Sequence, residues 1–159
     1  MEDYDYIKAQ EELNKDRPYY IKILNDEKNN KYKVFYVNKN LHINKKMGNL
    51  MKNYNFLEFS DKFNKPLDNL PSNIENIKFG NKFNQPVNNL PSKLLYLTFG
   101  EKFNQPVDNL PSELSYIKFG REFNKTVDNL PPNIKEIKLY LLNKIHLIQK
   151  IPFGCKIIV

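Results

Sequence analysis

Residues 77 to 91 run Ile77-Lys78-Phe79-Gly80-Asn81-Lys82-Phe83-Asn84-Gln85-Pro86-Val87-Asn88-Asn89-Leu90-Pro91, and the hydrophobic period changes inside this one stretch. Ile77-Lys78-Phe79 alternates apolar, polar, apolar, as a short strand with one buried face must. Gly80 reads as a turn residue that uses a positive φ. Beyond it, Pro86 and Pro91 stand five residues apart and forbid a helix of useful length. The segment is therefore predicted to return in an extended, polyproline-like path, with Phe83, Val87 and Leu90 pointing inward.

Outward from this stretch the chain repeats itself. Phe63-Asn64, Phe83-Asn84, Phe103-Asn104 and Phe123-Asn124 recur every 20 residues, as do Leu70-Pro71, Leu90-Pro91, Leu110-Pro111 and Leu130-Pro131. Gly80, Gly100 and Gly120 keep the same step, with Ser60 in the first copy, and so do the strand pairs Leu57/Phe59, Ile77/Phe79, Leu97/Phe99, Ile117/Phe119 and Ile137/Leu139. Ile74, Leu94, Leu114 and Ile134 would close each coil before the next strand. One copy holds too few apolar side chains to offset the backbone entropy of ordering it. Stacked copies cover each other's faces and pair their strands at about 4.8 Å. The predicted fold is mainly β, a right-handed, leucine-rich-repeat-like solenoid of 20-residue coils with a short parallel sheet along one side, capped at both ends.

The Phe-Asn-Gln-Pro motif, after an Ile-x-x-Ile-x-Phe-Gly strand and before Leu-Pro, resembles the FNIP repeat. That family is a leucine-rich-repeat relative found in proteins of social amoebae and of large DNA viruses that infect amoebae. The resemblance covers about residues 54–142 as four copies; the fourth departs from it at Thr126 and Pro132. It implies a protein-interaction scaffold, non-enzymatic, with an unnamed protein partner and no cofactor. Some relatives join such repeats to an F-box that recruits a ubiquitin ligase. Residues 1–53 lack the leucine-rich helical run an F-box needs, so a substrate-recognition role without one is an alternative reading, as is an architectural or self-assembling protein.

The two ends read as caps. In residues 1–53 a short helix is predicted from Asp3 to Asn14, followed by a β-hairpin of Tyr19–Leu24 and Tyr32–Val37. In residues 143–159, Ile151-Pro152 followed by Cys155 and Ile158 copies the spacing of Leu130-Pro131 to Ile134 and Ile137, which places a last strand near Lys156–Val159. Leu141–Lys150 is read as a helical turn or an irregular lid.

Charge is distributed unevenly along the chain. The total of 25 Lys+Arg against 18 Asp+Glu gives +7, yet residues 57–136 carry 10 of each and residues 137–159 carry 4 basic and no acidic side chains. Arg17 and Arg121 are the only arginines, although arginine is the side chain best suited to phosphate forks and base edges. The neutral middle and the scarcity of arginine argue against a nucleic-acid partner. No apolar run approaches the roughly 18 residues of a membrane span, and the acidic start is unlike a secretory signal. The expected setting is intracellular, in the cytoplasm, or the host cytoplasm if the protein is viral.

Candidate sites follow from the coil. Outward strand positions offer a protein-binding face: Phe56 and Glu58, Asn76 and Lys78, Tyr96 and Thr98, Tyr116 and Lys118, Glu136 and Lys138. Tyr96 and Tyr116 would stand side by side as interface anchors, or as ordinary cross-strand pairs. Asn64, Asn84, Asn104 and Asn124 are predicted to form a buried structural ladder of amides bonding the backbone of adjoining coils. His42 and His146 stand alone without metal spacing, the single Cys155 excludes an internal disulfide, and no nucleophile, dinucleotide or zinc-protease motif is present.

Overall fold

The computed structural model describes residues 16–25, 31–38, 41–127, 129–140 and 142–159. The helix expected over Asp3–Asn14 lies outside these residues. Strands β1 (Tyr19–Asn25) and β2 (Lys31–Val37) pair antiparallel, Tyr19 opposite Val37 and Asn25 opposite Lys31. Six further strands follow: β3 (Phe56–Phe59), β4 (Asn76–Lys78), β5 (Tyr96–Thr98), β6 (Tyr116–Lys118), β7 (Glu136–Lys138) and β8 (Lys156–Ile158). All eight lie in one sheet in sequence order, and every pairing from β2 to β8 is parallel. From β3 onward partners differ by 20 residues, so Phe56, Asn76, Tyr96, Tyr116, Glu136 and Lys156 form one row across the sheet. The fold is a β-solenoid with one parallel sheet and little helix.

The stacking creates two columns of phenylalanine in the interior. Phe59, Phe79, Phe99 and Phe119 come from the strand ends, and Phe63, Phe83, Phe103 and Phe123 from the turn that follows; all eight are buried. Within a coil the rings of Phe79–Phe83, Phe99–Phe103 and Phe119–Phe123 have centroids 4.0, 3.6 and 3.9 Å apart. Along the solenoid Phe83, Phe103 and Phe123 follow one another at 6.2 Å with nearly parallel planes, the offset stacking that aromatic quadrupoles favour. Ile74, Leu94, Leu114 and Ile134 close the opposite side of the core, each in a turn where its N–H donates to the carbonyl of Pro71, Pro91, Pro111 or Pro131. Leu90, expected to point inward, packs half-buried against the rim of the core.

The glycine column has a different cause from the one expected. Gly80, Gly100 and Gly120 do not have positive φ. A Cβ on Gly100 would lie 2.4 Å from the carbonyl oxygen of Gly80, and one on Gly80 2.3 Å from that of Ser60. Glycine is needed because successive coils touch backbone to backbone there. The unit before Ser60 is the hairpin, and a side chain fits.

The coil pattern changes on either side of the regular repeats. Between β2 and β3, α1 (Lys45–Met51) begins at Asn44, whose side chain accepts from the Met47 N–H at 3.1 Å, and it buries Met47, Gly48 and Met51. At the far end Leu142–Leu147 forms a 3-10 helix. Lys144 donates from Nζ to the carbonyls of Arg121 and Phe123. In earlier coils a backbone N–H of the next coil does this, as Lys82 does to Asp61 and Lys102 to Asn81. A lysine side chain thus takes the place of that backbone N–H. The last turn places the Cys155 N–H on the Pro152 carbonyl at 3.1 Å. However, Ile157 and not Ile158 pairs with Ile137, because this turn is one residue shorter than its predecessors; Ile158 is exposed.

Candidate protein-binding face

Alternation along each strand sends one residue into the phenylalanine core and the next to the open face of the sheet. Among the open-face residues Tyr96 is the most exposed aromatic, at 50% of its full surface, with its ring 6.1 Å from that of Tyr116. Phe56, Asn76, Thr98, Tyr116, Lys118, Glu136 and Lys138 are half-buried, and Lys78 is exposed. Burial, followed by the nearby Glu136 carboxylate, raises the Tyr116 phenol above its ordinary pKa, so the ring presents a neutral hydroxyl.

Glu58 departs from the expected surface role. It is buried, and its two carboxylate oxygens accept from Lys22 at 3.4 Å and Lys78 at 2.9 Å. Lys22 arrives from β1 and is itself buried, its Nζ 4.1 Å from the centre of the Tyr36 ring. This group joins hairpin to solenoid. Lys22 sits 36 residues from Glu58 in sequence and belongs to no repeat, which is why the repeat pattern does not reveal it.

Beside this face a groove of about 460 Å³ crosses the strand ends. Its strand side carries Glu58, Lys78, Thr98 and Lys118; its loop side carries Asp61, Asn81, Glu101 and Arg121. Gly80, Gly100 and Gly120 line it between the two rows, and Tyr36 and Tyr140 mark its ends. The Arg121 guanidinium lies 5.1 Å from the centre of the Tyr140 ring, a cation–π distance.

The asparagines run along a neighbouring edge of the coil. Asn64 Oδ1 accepts from the Asn84 N–H at 2.9 Å and from Gln85 at 3.1 Å, and Asn84 Oδ1 accepts from the Asn104 N–H at 2.9 Å and Gln105 at 3.1 Å. Asn104 Oδ1 accepts from the Asn124 N–H at 2.9 Å, and Lys125 stands where the earlier coils have the glutamine donor. The amides are not buried as expected. Asn84 and Asn104 are half-buried and Asn64 and Asn124 exposed, because the adjacent phenylalanines fill the interior and leave asparagine at the rim. Substituting Asn84 by Ala removes the acceptor of two donors and leaves the Asn104 N–H unpaired, a cost of about 1–3 kcal/mol. Thermal melts are expected to show a fall of several degrees for Asn84→Ala and little change for the exposed Asn109→Ala; equal shifts would mean that the ladder carries no stability.

Other titratable residues are dispersed. Among the described residues no group of three or more His, Cys, Asp or Glu is placed to hold a metal ion. His42 is exposed, with its Nε2 2.8 Å from Lys65 Nζ, and His146 is exposed as well. Burial and then the Glu136 charge raise the Cys155 thiol, which disfavours its thiolate. Among the described residues no helix is long and apolar enough to cross a membrane.

With coil, columns and face in view, the comparisons with known proteins are specific. The family model described as FNIP Repeat matches residues 63–102 and again 103–141, two coils per match. The chain is an FNIP-repeat protein. No curated protein matches it. Among solved structures it is similar to CroV588, a circular leucine-rich-repeat protein of a giant virus, at 36% identity and a TM-score of 0.57. That likeness covers 65% of this FNIP-repeat chain and 18% of the other, so the chain spans less than a fifth of its neighbour.

Proposed function

We propose that this FNIP-repeat protein is a non-enzymatic scaffold that holds a protein partner along the open face of its sheet. The observation that carries the reading is Tyr96, half exposed on the sheet beside Tyr116 and on the same strand as the groove-lining Thr98. Two large amphipathic rings on a preorganised sheet are the kind of anchor that dominates protein interfaces, since they lose little side-chain entropy on binding. A Tyr96→Ser/Tyr116→Ser double variant should keep its melting temperature within a few degrees of the parent and weaken capture of its partners, identified by proximity labelling, by at least about tenfold, the loss of one anchor. A variant that kept both its stability and every partner would leave the face idle.

Self-assembly is the second reading, and the last coil favours it. Strand β8 is a sheet edge, and Ile151, Phe153, Ile158 and Val159 around it are exposed. Sedimentation at two concentrations distinguishes the readings, since only self-assembly shifts the profile without a partner.

A further inference from the structure

The two halves of the groove are unequal in charge. At the hairpin end Glu58 is held between Lys22 and Lys78, and Asp61 lines the groove beside them, so two carboxylates stand against two ammonium groups and the charge there is balanced within the protein. At the other end Lys118 lines the groove, and Lys138, just outside its lining, stands directly opposite Lys118 in register on β6 and β7, both on the open face and both half-buried. Among the described residues neither forms an ion pair, although Glu101 lies across the groove and Glu136 is two residues from Lys138 on the same strand. Arg121 lines the same end, with its guanidinium over Tyr140 and no carboxylate partner among the described residues.

Like charges facing each other across a strand pair destabilise a sheet, and partial burial reduces the screening that water would supply. The fold therefore carries an unpaired cationic pair beside the Tyr140 end of its groove. We infer that Lys118, Lys138 and Arg121 form the anchor point for an acidic side chain of an extended peptide segment, laid along the groove toward Tyr96 and Tyr116. This rests on the interaction face proposed above and adds the partner's chemistry to it. A carboxylate placed there gains charge-assisted hydrogen bonds from up to three cations and relieves the repulsion between the lysines. A basic segment has only Glu101 to meet at this end, against three cations, and at the other end Asp61 beside a Glu58 already paired.

The consequence is an opposition between stability and binding. In Lys138→Glu the like pair becomes an opposite pair with Lys118, so the melting temperature should rise by about 2 °C. The same variant should lose at least about tenfold in affinity for a fluorescein-labelled peptide of six glutamates flanked by tyrosines, measured by anisotropy on the full chain at low salt. Lys138→Gln and Lys118→Gln, which introduce no new charge, should each show a smaller loss. Lys62→Glu, exposed and outside the groove, changes net charge equally and should leave affinity within about twofold.

Equal weakening by Lys62→Glu and Lys138→Glu would overturn the assignment, since binding would then follow net charge alone. So would tighter binding of an oligonucleotide with the same number of charges, or of the corresponding lysine peptide. If the lysine variants have no effect while Tyr96→Ser/Tyr116→Ser releases the glutamate peptide, the face stands and its acidic anchor falls. If neither set has an effect, both fall together.

Discussion

Replacing Phe103 by alanine should lower the melting temperature by about 10 °C, the largest effect of any single truncation in the middle coils. The ring has no solvent exposure and touches three others: Phe99 at 3.6 Å in its own coil and Phe83 and Phe123 at 6.2 Å in the coils on either side. Truncating a buried phenylalanine costs about 3–5 kcal/mol, and lost aromatic contacts add to this. A domain of ordinary stability has only about 5–15 kcal/mol in total. The loss falls between coils as much as within one, and a stack of repeats depends on those interfaces for its cooperativity. Unfolding followed by circular dichroism should therefore become broader as well as lower. Phe153→Ala is the matched control, because Phe153 is wholly exposed and its removal should shift the midpoint by less than about 1 °C. Similar melts for the two variants would show that the phenylalanine columns do not hold the coils together.

Gly100→Ala is expected to be nearly as damaging, although it adds only one methyl group. The new Cβ would sit 2.4 Å from the Gly80 carbonyl oxygen and 2.7 Å from the Asn81 Cα, both backbone atoms that cannot rotate away. The coils must part locally, which strains the parallel pairing of β4 and β5 that ends two residues earlier. Over-packing of this kind costs about 3 kcal/mol at the upper end of its usual range, so the expected fall is on the order of 10 °C. Ser60→Ala tests the same column where it need not be glycine. Ser60 is buried and its hydroxyl has no hydrogen-bond partner among the described residues, so removing the oxygen should be neutral or slightly stabilising. A harmless Gly100→Ala would show that the backbone contact between coils can relax.

These two results bear on what could be read in advance. Phe103 could be assigned to the core from the chain alone, because a 20-residue step with alternation at Ile77-Lys78-Phe79 leaves only one inward set. Gly100 could be recognised as special but not explained: a positive φ and a close backbone approach both select glycine, and only the position of the preceding coil distinguishes them. Helix α1 gave little signal, being seven residues long with Gly48 inside it. The register of β8 also required the fold. A single residue fewer in the Pro152–Ile157 turn moves Ile158 from the core face to the open one.

The candidate face was legible as a set of alternating positions and illegible as a surface. Tyr96 and Tyr116 lie 20 residues apart, so the repeat itself places them side by side. Glu58 belongs to the same set, yet the β1–β2 hairpin covers it with Lys22 and its charge is paired within the protein. The linear order of residues determined the period, the inward set and the parallel sheet, because each depends on contacts between equivalent positions. Which outward residues remain open, which charges find partners and why the glycines are required were decided by the folded chain, because each depends on contacts between positions that no repeat relates.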